Sequence, residues 1–141
     1  MRCTSLTKMP VLHSTDLNVY CYYRMFKGCT SLTEVTSLPA TTVFDSSYRE
    51  MFSGCVNLIT APEIFATRLV SKVCQEMFYG CSNLNYIKIH ATSGTNALYA
   101  NSNLYNWTLG VASSGTFVKK NTTHFTTGAS GIPSGWTVQN I

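Results

Sequence analysis

Six cysteines, three histidines and six carboxylates are the reactive or metal-ligating side chains of this chain. Cys29, Cys55 and Cys81 stand at equal intervals of 26 residues, and Cys3 extends the series backwards by the same step. No two cysteines form a C-x-x-C pair, the spacing a zinc site usually shows. Stacked copies would bring their Cα atoms to about 5 Å, within disulfide reach, but stacked side chains point the same way. Free cysteine packs as a small hydrophobe. The series, with Cys21 and Cys74 in neighbouring columns, therefore reads as structural thiols with no metal and no cofactor. His13, His90 and His124 make no H-x-x-x-H spacing. The carboxylates are scattered, and glycoside hydrolysis needs two converging in a pocket. No catalytic residue is assigned, and the chain reads as non-enzymatic.

The composition narrows the class further. The chain has 141 residues, 45 % of them hydrophobic and 11 % charged, with a net charge of +4. One domain is the expected size class. Disorder needs more charge and fewer aromatics. The ten cations form no basic stripe, so no nucleic-acid partner is expected. No apolar run of about 18 residues exists, so no membrane insertion is expected, and no export signal opens the sequence.

Spacing carries most of the information. Met25-Phe26-Lys27-Gly28-Cys29 recurs as Met51-Phe52-Ser53-Gly54-Cys55 and as Met77-Phe78-Tyr79-Gly80-Cys81. Leucines follow at Leu32, Leu58 and Leu84, and Cys3 with Leu6 marks an earlier, truncated copy with Met1 and Arg2 in the Lys-Gly positions. A 26-residue period falls in the range of leucine-rich repeats, about 20 to 29 residues. The sequence predicts an α/β repeat: a leucine-rich-repeat solenoid of four units over 1–102, with short strands and short helices, followed by a β-rich C-terminal cap over 103–141. Each strand starts near the leucine, and Ile87 and Ile89 alternate onto one face. Pro10 and Pro62 interrupt the ladder. The helix is read from Leu69, Val73, Met77 and Phe78, an apolar stripe at helical spacing, with Gly28, Gly54 and Gly80 as helix C-caps. Met25, Met51, Met77, Phe26, Phe52, Phe78 and the leucine and cysteine columns form the predicted core. Trp107, Phe117, Phe125, Ile132 and Trp136 would build the cap. The first repeat lacks a covering unit, so self-association or upstream repeats are expected at that edge.

The Met-Phe-x-Gly-Cys-x-x-Leu unit resembles the BspA-type leucine-rich repeats of bacterial surface proteins. The ending, from Trp107 through Gly131-Ile-Pro133-Ser-Gly135-Trp136, resembles the tails of such proteins in gut Bacteroidales, some of them prophage-like. The resemblance implies an extracellular, cell-surface or virion location and an adhesive role without catalysis. In a solenoid the outward strand positions line one exposed face. Here they are Lys8, Glu34, Thr60 and Tyr86, with Thr36 and Lys88 beside them, and they vary while the core columns do not. They are the candidate binding residues, for a host or bacterial surface protein or glycan. A phage tail-associated receptor-binding module and a structural assembly module are the alternatives.

Overall fold

Residues 20–28, expected to close the first repeat as a helix, are not helical in the computed structural model, which describes residues 3–96 and 102–141. Their amides alternate between two kinds of partner. Those of Tyr23, Met25 and Lys27 donate three residues back, to the carbonyls of Tyr20, Tyr22 and Arg24, at 3.1 to 3.2 Å. Those of Tyr22, Arg24, Phe26 and Gly28 leave the segment and donate to the carbonyls of Ser47, Arg49, Met51 and Ser53, at 2.8 to 3.1 Å. Residues 46–54 and 72–80 repeat the scheme. Every fourth residue has positive φ: Tyr20, Arg24 and Gly28, then Ser46, Glu50 and Gly54, then Lys72, Glu76 and Gly80. An α-helix keeps its amide bonds inside itself, four residues apart, and avoids left-handed residues, which cost roughly 1–2 kcal/mol each.

The expected helices are therefore replaced by a ladder of turns. Among the described residues only 102 and 103 are helical. Gly28, Gly54 and Gly80 are not helix C-caps. They hold the last left-handed position of each ladder, at φ +73°, +78° and +72°. The helix-like spacing in the sequence has a different physical origin. The ladder repeats every four residues, two in and two out. Val73, Cys74, Met77 and Phe78 are fully buried, while Tyr79 on the outer side is 44 % exposed. A helix repeats every ~3.6 residues, and over two turns both periods bury the same positions.

The strands are also shorter than expected. The described residues contain three: β1 (Tyr86–Lys88), β2 (Thr116–Lys119) and β3 (Thr137–Asn140). They form one parallel sheet in the order β1-β2-β3, with Ile87 opposite Phe117 and Phe117 opposite Val138. Elsewhere successive coils touch through single parallel bridges, including Lys8 with Glu34, Asp16 with Thr42, Leu38 with Ile64 and Thr60 with Tyr86. The fold is thus a stack of 26-residue coils built from turns, bridges and three short strands. It is not a leucine-rich-repeat solenoid of alternating strands and helices.

The C-terminal segment carries two of the three strands and continues the stack. β2 and β3 extend the sheet that β1 begins. Residues 105–110 add another ladder, whose Tyr105, Trp107 and Leu109 carbonyls accept from the amides of Glu76, Phe78 and Gly80 at 2.8 to 2.9 Å. Asn106 and Gly110 again have positive φ. Phe78 and Trp107 are 29 residues apart (107 − 78), so an insertion hides the period from the sequence. The expected boundary at 102/103 adjoins residues 97–101, which lie outside the described residues, as do Met1 and Arg2.

The core columns stack. The rings of Phe26, Phe52 and Phe78 lie 5.5 and 5.7 Å apart, and Trp107 follows at 6.0 Å. Leu32, Leu58, Leu84, Met51, Met77, Cys29, Cys55 and Cys81 are buried with them. All six cysteines are free thiols. Cys55 Sγ donates to the Phe26 carbonyl at 3.1 Å and Cys81 Sγ to the Phe52 carbonyl at 3.0 Å. Burial pushes the Cys55 and Cys74 thiols up to about 12 and raises Cys29 and Cys81 as well. Met25 departs from the expected core. It is 44 % exposed, and Cys3 and Cys21 are exposed too, because no described residue stacks over the first coil.

Two outcomes follow from this architecture. Gly54→Ala places a Cβ at φ +78° and should destabilise by about 1 kcal/mol or more, seen as a lowered Tm. An unchanged Tm would remove the left-handed constraint from the ladder. A thiol reagent should label Cys3 and Cys21 rapidly, and the other four only on unfolding. Denatured, unreduced protein with fewer than six free thiols would establish disulfides instead.

Candidate functional site

The bridges that hold the coils in register also gather the predicted binding residues. Lys8 pairs with Glu34, and Thr60 with Tyr86, across parallel bridges. Side chains of one row therefore follow one another up the stack. Glu34, Thr36, Thr60, Tyr86 and Lys88 line a single open groove of about 550 Å³. Lys8 lies outside it, but its Nζ is 3.6 Å from the Glu34 carboxylate. Both side chains of that pair are mostly exposed, so the contact is worth little by itself.

The charged groove residue Glu63 was not read from the sequence as a binding residue. Glu63 lines the groove and is its electrostatic centre. Its Oε1 lies 3.1 Å from Lys88 Nζ and 2.6 Å from His90 Nε2. The His90 ring stacks on Phe65 at 4.6 Å with an interplanar angle of 7°. The hydrogen bond with His90 holds the Glu63 carboxyl below the usual carboxylate range. Burial opposes the shift, and Lys88 reinforces it. Constant 26-residue alignment misses this contact. Thr60 and Tyr86 are 26 apart, but Ile64 faces Ile89 across 25 residues. The fourth repeat is one residue shorter there, which brings His90 beside Glu63. The available signal was a charge, Glu63, which a constant 26-residue step aligns with Ser37 and Ile89 and the true register aligns with Ser37 and Lys88.

The arrangement suits recognition. A tyrosine ring stands among the hydroxyls of Thr33, Thr36, Ser37 and Thr60, and the charged groups at the rim are already paired. Such a surface offers stacking and many hydrogen-bond partners with little net charge. Among the described residues, no three His, Cys, Asp or Glu side chains converge to hold a metal ion. No helix of the described residues is long and apolar enough to cross a membrane. No family model, curated protein or solved structure matches the chain.

The Glu63 contacts set a pH dependence. Its folded pKa is depressed, so its contribution is complete above the unfolded carboxylate value and disappears as pH falls through the folded one. Glu63→Gln should lower Tm modestly at neutral pH, by the equivalent of about 1 kcal/mol or less, since the pair is partly solvated. The gap between variant and parent should close below about pH 4.5, the ordinary carboxylate value. A gap that stays constant from neutral to acid pH would show that the carboxylate charge contributes nothing.

Proposed function

We propose that this chain is a non-enzymatic recognition module of a bacterial cell surface, and that it binds a glycan along the Tyr86 groove. The observation that carries this reading is the convergence of Glu34, Thr36, Thr60, Tyr86 and Lys88 in one groove. These are positions the fold leaves free to vary. Aromatic faces stack on apolar ring faces, and a fringe of hydroxyls and paired charges matches the hydroxyls of a sugar. The resemblance of the Met-Phe-x-Gly-Cys unit to BspA-type surface repeats supports the cellular setting and an adhesive role.

The test is binding of the labelled chain to mucin, to epithelial cells and to gut-type bacterial cells. Mucin or epithelial binding that glycosidase treatment abolishes is expected. Tyr86→Ala and Lys88→Ala should each weaken it about tenfold, corresponding to roughly 1.4 kcal/mol. Strain-selective binding to bacteria alone would favour a phage-type receptor module. Binding that survives glycosidase but not protease would replace the glycan by a protein. Silence on all three surfaces, with concentration-dependent self-association, would favour an assembly role.

A further inference from the structure

A second groove, of about 690 Å³, opens beside the glycine column and is independent of the Tyr86 groove. Its form follows from one column of the turn ladder. Lys27, Ser53 and Tyr79 occupy equivalent positions in three successive coils (53 − 27 = 79 − 53 = 26). A long cation and an aromatic ring thus flank a short hydroxyl. Coils stack at roughly the interstrand spacing of ~4.8 Å, so Ser53 leaves a notch about two coil steps wide. The floor is backbone, because Gly28, Gly54 and Gly80 contribute no side chains. A Cβ built on Gly54 would lie 3.8 Å from the Gly28 Cα, in ordinary van der Waals contact with the neighbouring coil.

Two further features point to a ligand. Ser53 is only 7 % exposed. Its hydroxyl makes no hydrogen bond with any described residue, unlike Ser47 Oγ, which is bonded to the backbone of Phe44 and Asn18. The Ser53 oxygen is not one of the sealed, unpartnered atoms of the interior; it opens into the groove, where water or a ligand group can bond it. The second feature is charge. Arg24 Nε and Nη2 both donate to the Glu50 carboxylate at 3.0 Å, Lys27 pairs with the same group, and Arg49 Nε lies 3.8 Å from it. Glu50 has a side-chain exposure of 4 %. Three cations therefore share one carboxylate. Glu76, next in the same column, acts on Arg24 more weakly, and even with it cations outnumber carboxylates by three to two. Arg24 and Lys27 both line the groove.

We infer that the notch between Lys27 and Tyr79 binds an acidic sugar residue. The ring stacks on Tyr79, a ring hydroxyl satisfies Ser53, and the sugar's carboxylate or sulfate meets the excess positive charge of Lys27 and Arg24. A neutral sugar leaves that charge unanswered. An acidic peptide lacks the rigid ring that the notch accommodates.

The experiment measures binding of the full chain to hyaluronan, polygalacturonate and dextran sulfate. Neutral dextran and the carboxyl-reduced form of each uronate polymer run alongside. Binding to at least one acidic polymer is expected, falling with salt, with none to the neutral forms. Uronate-only and sulfate-only binding each support the inference and identify the acid. Tyr79→Ala should weaken it at least tenfold, and Ser53→Leu should abolish it by filling the notch. Lys27→Met should weaken it and flatten the salt dependence. Lys120→Ala, which removes a cation from outside the groove, should leave it unchanged. If Ser53→Leu fails to fold, Tyr79→Ala decides, because that side chain is largely solvent-facing. The inference is overturned if no acidic polymer binds, if neutral forms bind equally, or if Tyr79→Ala binds as the parent does.

Discussion

The structure depends on one interaction: a backbone amide that leaves its own coil for the carbonyl of the next. In each turn ladder every second amide does this, at positions such as Phe26, Phe52 and Phe78. The remaining amides close turns three residues back, so every amide from Tyr20 to Gly28 and from Ser46 to Gly54 is paired. The arrangement can form only in register, since a slip by one residue would interchange the amides that leave the coil with those that close its turns. Register then aligns like with like. Phenylalanine stacks on phenylalanine and cysteine on cysteine, and the glycines face one another. The left-handed residues at every fourth position oppose this arrangement, and L-amino acids there cost roughly 1–2 kcal/mol each. Burial of a continuous aromatic spine offsets them, because large aromatic side chains dominate core energetics.

Much of this was legible in the sequence, and the failures have definite causes. The 26-residue period located the stacked leucine, phenylalanine and cysteine columns, because identical side chains in register are what the stack requires. The same period put Glu34, Thr36, Thr60, Tyr86 and Lys88 on one expected outward face, and in the structure these five line one groove. The helix reading failed because a period of four and a period of ~3.6 bury the same residues over two turns. The sequence did contain a contrary signal. Ser46-Ser47 lie within the helix expected to end at Gly54, and serine favours caps and turns over helix interiors. Met25 and Cys21 shared columns with buried residues, yet in the first coil Met9, Leu17 and Phe26 are buried while Met25 is 44 % exposed and Cys21 is exposed too, so column membership alone does not bury a side chain. Trp107 was read as part of a cap because the insertion before it breaks the arithmetic. Ser53 carried no chemistry as a lone serine, and acquires it only between Lys27 and Tyr79.

Scarcity of charge gives each carboxylate a defined task. With six acids against ten Lys and Arg, the placement of an acid decides where positive charge is neutralised and where it remains. Glu63 balances Lys88 and meets His90 in the Tyr86 groove. The result is a surface with little net charge, rich in hydroxyls. Glu50 instead gathers Arg24, Lys27 and Arg49. Desolvation works against its ionisation, but the hydrogen bonds from Arg24 and Lys27 win and hold its carboxyl below the usual range. One buried acid thus fixes three cations in place without cancelling them. The two grooves differ in charge because their carboxylates differ in number of partners.

The same interaction gives the stack a direction. Ladder amides point from each coil toward the following one, and carbonyls point back. In the second coil the carbonyls of Asp45, Ser47, Arg49, Met51 and Ser53 all accept from the first. The equivalent carbonyls of the first coil, at Val19, Cys21, Tyr23, Met25 and Lys27, accept from no described residue. This edge therefore presents hydrogen-bond acceptors without the matching donors, beside the exposed side chains of Val19, Tyr20 and Met25. Two copies meeting face to face through these ladders would oppose carbonyl to carbonyl, so a symmetric pairing of the ladders is electrostatically unfavourable. Hydrophobic contact through Met25 alone would leave those acceptors desolvated and unpaired, at a cost of about 1–3 kcal/mol each. A protein surface that covers this edge must instead bring a row of amide donors at every second residue. Within the chain itself, each later ladder meets that requirement through the ladder before it.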